Sequence, residues 1–149
     1  MQDSFVGAGG DSLAAGGAAV VGGGLGNKVV SFAGFIGGGS ANHISTAALG
    51  VVGPYNVISG GFQNFIGSTG PALAGAATIS GGKSNEAASD YSTIGGGGSN
   101  AVAGVYSTIP GGFLAKTVSY GELAHASGSF TAGVAGQAQE SRFVVRLAT

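Results

Sequence analysis

Charge is what this chain most lacks: five Lys and Arg and six Asp and Glu among 149 residues, with none of the four types between Lys28 and Lys83. A net charge of −1 leaves no basic field to draw nucleic acid or an anionic membrane surface. Cysteine is absent, which excludes disulfides and thiolate metal sites and leaves the redox compartment open. Only three prolines occur, without the triplet period of collagen. Long apolar runs are missing as well, because Gly, Ser, Asn and Gln interrupt each one, so no segment suits a membrane span. The opening MQDSFVGAGG has neither the basic nor the apolar region of a secretory signal.

Glycine is what the chain has in excess, at 33 residues, and each one costs an interior helix about 1 kcal/mol relative to alanine. Disorder does not fit, since disordered chains are typically charged and poor in β-branched residues. A folded chain with this little charge is expected to cover much of its surface by association.

The glycines are ordered. Seven units begin at Val6, Val21, Ile36, Ile58, Ile79, Ile94 and Ile109, at spacings of 15, 15, 22, 21, 15 and 15 residues. A repeat of this length is the signature of a solenoid, in which each turn buries its faces only against its neighbours. Seven turns at about 4.8 Å each predict a stack of roughly 30–35 Å.

With the apolar start as position 0, position +3 is always glycine: Gly9, Gly24, Gly39, Gly61, Gly82, Gly97 and Gly112. Position +2 is glycine in every unit but the first, where Ala8 stands. Paired glycines after a β-branched residue predict a corner with positive φ or a close backbone approach. Position +6 is Asn27, Asn42, Asn64, Asn85 and Asn100 in the middle units, with Ser12 and Ala115 at the ends. In neighbouring turns these amides would form a side-chain ladder. Position +8 is small or β-branched throughout, while +7 (Leu13, Lys28, His43, Phe65, Glu86, Ala101, Lys116) shares no chemistry. This alternation places +6 and +8 inward and +7 outward.

Position −1 is Phe5, Val20, Phe35, Val57, Thr78, Thr93 and Thr108, next to a Val or Ile at 0. Successive strand residues face opposite sides, so this strand is β-branched or aromatic on both. One face fills the interior; the other calls for identical subunits. The extra residues of the two long units, Ser45–Pro54 and Ser68–Ala76, predict loops on one edge. After Lys116 the spacing changes, so residues 1–117 read as the repeat region and 118–149 as a cap or junction, with a strand over Ser141–Leu147.

The Asn-closed rungs, with YSTIGGGGSN (Tyr91–Asn100) and YSTIPGGF (Tyr106–Phe113), resemble the head repeats of trimeric autotransporter adhesins. The stretch Gly121–Arg146 is similar to a segment common in bacteriophage tail fibre and tail spike proteins. The resemblance implies an all-β fold, a left-handed parallel β-roll assembled as a homotrimer, and adhesion. A complete autotransporter would also have an anchor, coiled-coil heptads and a signal peptide, so the balance falls on a virion tail fibre. Its partners would be other tail or fibre proteins and a host surface glycan or protein, the receptor being unknown. A bacterial cell-surface adhesin head is the alternative source.

Sites for chemistry are scarce. GGKSN (Gly81–Asn85) lacks the first glycine of a phosphate loop, with Ala77 in its place. Asp11 has no acidic counterpart in other units, against a calcium ladder. His43 and His125 have no carboxylate at ligand spacing. No cofactor, metal or catalytic residue is therefore expected and the chain reads as a non-enzyme, the enzymatic alternative being a polysaccharide-cleaving spike using Glu86, Asp90 or Glu122. Phe62, Phe65, Phe113, Tyr55, Tyr91 and Tyr106 could stack on sugars or pack in an assembly. Thr78, Thr93 and Thr108 form a short threonine file, incomplete for an ice-binding array.

Overall fold

A computed structural model describes residues 4–45, 55–67 and 75–144. These residues form an all-β solenoid of about seven turns, with parallel strands stacked one turn above the next and no helix. Two sheets run the length of the stack. The first pairs Phe5–Gly10, Val20–Leu25, Phe35–Ile36, Val57–Ile58, Thr78–Ile79, Thr93–Ile94 and Thr108–Ile109 in sequence order, at positions −1 and 0. The second pairs seven strands at positions +7 and +8, from Leu13–Ala14 to Lys116–Thr117. Between them, position +4 makes a line of parallel bridges from Leu25 to Phe113.

The register is that of the repeat. Val20 pairs with Phe35 and Thr93 with Thr108, and across the longer units Phe35 pairs with Val57 and Phe65 with Glu86. Of the loops expected over Ser45–Pro54 and Ser68–Ala76, residues 46–54 and 68–74 lie outside the described residues.

The core is narrow and continuous. Position 0 side chains from Val21 to Ile109 are fully buried, and they face Val29, Ile44, Ile66, Ala87, Val102 and Thr117 of position +8. A fully buried Ile or Val contributes roughly 1.5–3 kcal/mol, so two such files account for the apolar drive of folding. Position +7 stays exposed or half-buried, as the alternation requires.

Corners close each turn. The +3 glycines from Gly24 to Gly112 have φ between 87° and 111°, a region that favours glycine. At Gly39 a Cβ would overlap the carbonyl oxygen of Gly61 and crowd Asn42 Nδ2, so backbone approach excludes any side chain there. The sequence does not announce the other corners. Position +5 (Asp11, Ala41, Gln63, Ser84, Ser99, Leu114) and position −3 (Ala18, Ala33, Ala76, Tyr91, Tyr106) are left-handed without being glycine, with φ of 49–61°. Many of these N–H groups donate to a carbonyl of the preceding turn, as from Ser84 to Phe62 and from Tyr91 to Gly75 (both 2.9 Å), which holds the conformation in place.

The 15-residue step continues one strand beyond Lys116. Leu123 pairs in parallel with Thr108, and Ala124 lies in the core as an eighth position 0. The strand Leu123–Gly128 then runs straight on beside Gly112–Phe113 instead of turning, and Ala138–Arg142 pairs antiparallel to it. The C-terminal strand thus begins earlier than the expected Ser141–Leu147, of which 145–147 lie outside the described residues.

Candidate interaction surface

The asparagine file is a hydrogen-bonded ladder inside the stack. Asn64 Nδ2 donates to Asn42 Oδ1 (3.1 Å), to Gly60 O of its own turn (3.1 Å) and to Gly82 O of the next (3.0 Å). Its Oδ1 accepts the backbone N–H and Nδ2–H of Asn85, both at 3.1 Å. Asn42, Asn85 and Asn100 repeat this pattern, and all five asparagines are fully buried. Ser12 Oγ accepts the N–H of Asn27 at one end, and Ala115 donates its N–H to Asn100 Oδ1 at the other. Each amide holds the +2 glycine carbonyl that the corner would otherwise strand, and adds a second donor to the +3 carbonyl of the next turn, which already accepts a backbone N–H. The Asn file and the glycine corner are one device.

A second polar file at position −2 went unread in the sequence. Asn56, Ser92, Ser107 and Glu122 are all buried there. Ser107 Oγ accepts the N–H of Glu122 (3.1 Å) and donates to Ser119 O (2.7 Å). The Glu122 carboxylate accepts the N–H groups of Val118 (2.9 Å) and Ser119 (3.0 Å). Burial alone would raise its pKa; the Ser119 and Val118 N–H bonds, with the Ser141 hydroxyl, outweigh burial and hold it below the usual carboxylate value. Its carboxylate serves as an N–H cap.

The other titratable candidates lie apart. Asp90 Oδ1 accepts the Gly75 N–H (2.7 Å), and Glu86 is exposed in the second sheet. His43 is half-buried with its ring 5.5 Å from that of Phe65, and its shielded Nε2 has no hydrogen-bond partner. Burial, aided by Lys28 on the preceding strand, lowers its pKa below the imidazole norm. His125 Nδ1 lies 3.0 Å from Gly111 O beside a shallow cavity of about 160 Å³ lined in part by Pro110, Glu140 and Arg142. Among the described residues no three His, Asp or Glu side chains gather into a metal-binding group.

The outer surface carries the more distinctive pattern. On the first sheet, position −1 presents Phe5, Val20, Phe35 and Val57 in register and then Thr78, Thr93 and Thr108. Phe35 is 41% and Phe5 59% exposed although each adjoins a position 0 residue on the opposite face. On the +4 edge Leu25, Phe62 and Phe113 are exposed, with Lys83 Nζ 5.7 Å from the Phe62 ring centre. At the corner before the first sheet, Tyr91 and Tyr106 stack 4.7 Å apart, and Tyr120, which the sequence did not single out, meets Tyr106 edge-on at 5.3 Å. Tyr120 stands 14 rather than 15 residues after Tyr106, so the repeat alone does not align it.

No family model, curated protein or solved structure matches this chain.

Proposed function

We propose that this chain is a structural and adhesive segment of a bacteriophage tail fibre, a β-solenoid that associates into a homotrimer and takes part in host attachment. The observation that carries this reading is the strand apolar on both faces. Its inner residues fill the core, while Phe5, Val20, Phe35 and Val57 form an outward file with one side chain per turn. A sheet facing water on one side is ordinarily polar there. A surface repeating at the strand spacing is best matched by one with the same period, and copies of this chain about an axis parallel to the stack supply it at every level.

Such an assembly suits a fibre. Interlocked turns resist unfolding along the rod, and three copies raise avidity for a host surface glycan or protein without a strong single site. Other tail or fibre proteins would adjoin its ends.

The test is the solution mass by light scattering, expected at three times the 14.0 kDa chain. Exchange of both Phe35 and Val57 for Ser is expected to lower that mass while the β circular dichroism persists. A wild-type monomer at micromolar concentration would remove the trimer, and failure of the trimer to compete with phage for host cells would remove attachment.

A further inference from the structure

The last strand of a parallel stack points backbone N–H and C=O groups at a level where no further strand stands. The second sheet ends in this way at Lys116–Thr117. Inside it, each +7 residue donates its N–H to the +6 carbonyl of the following turn, as Lys28 does to Asn42 O and Glu86 to Asn100 O (both 2.8 Å). Among the described residues Lys116 has no following strand in that sheet, yet both its backbone groups are engaged. Gln139 Oε1 accepts the Lys116 N–H, and Gln139 Nε2 donates to Lys116 O, each at 2.8 Å. One carboxamide thus supplies the acceptor and the donor that an eighth strand would have supplied from its backbone. Gln139 Nε2 also donates to Ser141 Oγ (2.8 Å), which orients the amide.

The rest of this end is closed as well. At position +9, Ala103 donates its N–H to Thr117 O of the next turn (2.9 Å), whereas the Val118 N–H goes to Glu122 Oε2 (2.9 Å). Gly136 donates its N–H to Leu114 O (2.8 Å) as the chain returns over the end of the core. Leu114, Ala115 and Thr117 are buried although the second sheet sets no strand above them. On the first sheet Ala138–Arg142 covers Leu123–Gly128 in antiparallel pairing, with an irregularity in register between Ala126 and Gly128. This covering strand has 5 residues and carries Glu140 and Arg142, ion-paired at 2.8 Å with side chains 69% and 75% exposed. Shortness, charge and irregular register all discourage an edge from pairing with another chain.

We propose that residues 118–144 terminate the stack: the Gln139 carboxamide is a surrogate strand on the second sheet, the charged Ala138–Arg142 strand blunts the first, and together they close this end to strand addition by a second copy. An unsealed solenoid end is a template, because every turn already pairs with one like itself. Charge is too scarce along the turns to keep copies from joining end to end, so the seal does it locally. Of the two roles open to this segment, cap and junction, the geometry assigns the cap. The inference concerns the end of the rod and not its sides, and so rests on neither the trimer nor attachment.

Hydrogen exchange on the full chain reads the surrogate strand directly. The wild-type Lys116 N–H is expected to be protected like that of Ala101, one strand inward, and to exchange about tenfold faster in Gln139→Ala. Exchange of the wild-type Lys116 N–H at the rate of an unbonded amide overturns the proposal. Light scattering at rising concentration then tests closure in two full-length variants. Gln139→Ala uncovers the Lys116 backbone. The double variant Glu140→Val, Arg142→Val removes the charge of the outer strand through side chains that face solvent, so its β circular dichroism should persist. Each is expected to add particles of twice the wild-type mass, lengthened along the rod in electron micrographs, and doubling by either sustains the proposal. Wild-type mass in both at every concentration overturns it, as does end-to-end growth of the wild type itself. Should Gln139→Ala fail to fold, the wild-type exchange and the double variant still decide the matter.

Discussion

At the scale of single residues, the solenoid holds backbone conformations that its side chains do not favour. A non-glycine residue in the left-handed region costs roughly 1–2 kcal/mol, and each regular turn has two such corners. Ser84 occupies one, at φ 55°, where Gly26 stands in an equivalent turn at φ 62°. Glycine gives back roughly 0.5–1 kcal/mol through its freer unfolded chain, so Ser84→Gly is expected to stabilise by about 0.5–1 kcal/mol in urea unfolding. Gly39→Ala should do the reverse, since its Cβ meets the backbone of the next turn. These two substitutions separate two kinds of corner. The +3 corner was legible because steric exclusion leaves only glycine. The +5 and −3 corners were not, because hydrogen bonding across turns lets Ala, Ser, Gln or Tyr sit there and residue type stops reporting conformation.

At the scale of the element, the asparagine ladder ties corner to corner. Truncation of Asn64 to Ala would leave the backbone N–H of Asn85 and the carbonyl of Gly60 without a partner inside the stack, whereas Gly82 O keeps the Phe62 N–H and the Asn85 amide keeps Gly81 O and Gly97 O. An unmet buried polar group costs about 1–3 kcal/mol, so a loss of at least ~2 kcal/mol is expected by chemical denaturation. Asn27→Ser should cost less, because Ser12 already serves as a hydroxyl end to the ladder. The ladder was readable as a run of asparagines at one position. Its end was harder to read: Ala124 continues the 15-residue step without a β-branched side chain, and Ala126 and Ser127 stand where the glycine pair would be. The tyrosine cluster was half legible. Tyr55, Tyr91 and Tyr106 share a position in the sequence, but the stacking of Tyr91 on Tyr106 and the addition of Tyr120 needed coordinates.

At the scale of the whole molecule, the few titratable groups set how the stack responds to acid. His43 has a folded pKa below the ordinary ~6.5, so under that pH the unfolded chain takes up a proton the folded chain refuses, and stability falls as pH falls. Glu122 is also lowered from its ordinary value. Its contribution is complete above the usual carboxylate range and is lost as pH drops through the folded value. Thermal melts from pH 8 to pH 3 are therefore expected to show two separate declines. His43→Phe should remove the upper one, since Phe65 already fills that position on the next turn, and Glu122→Gln should remove the lower. A single decline unaffected by His43→Phe would contradict this assignment.

The strands meet in register whether 15, 21 or 22 residues separate them. Frame and ornament are thus independent variables in this architecture. Pairing fixes where each turn lands, and the count of residues spent between landings is free. A chain built this way can lengthen a turn without shifting the register of the turns on either side, at the small entropic cost of closing a longer connection.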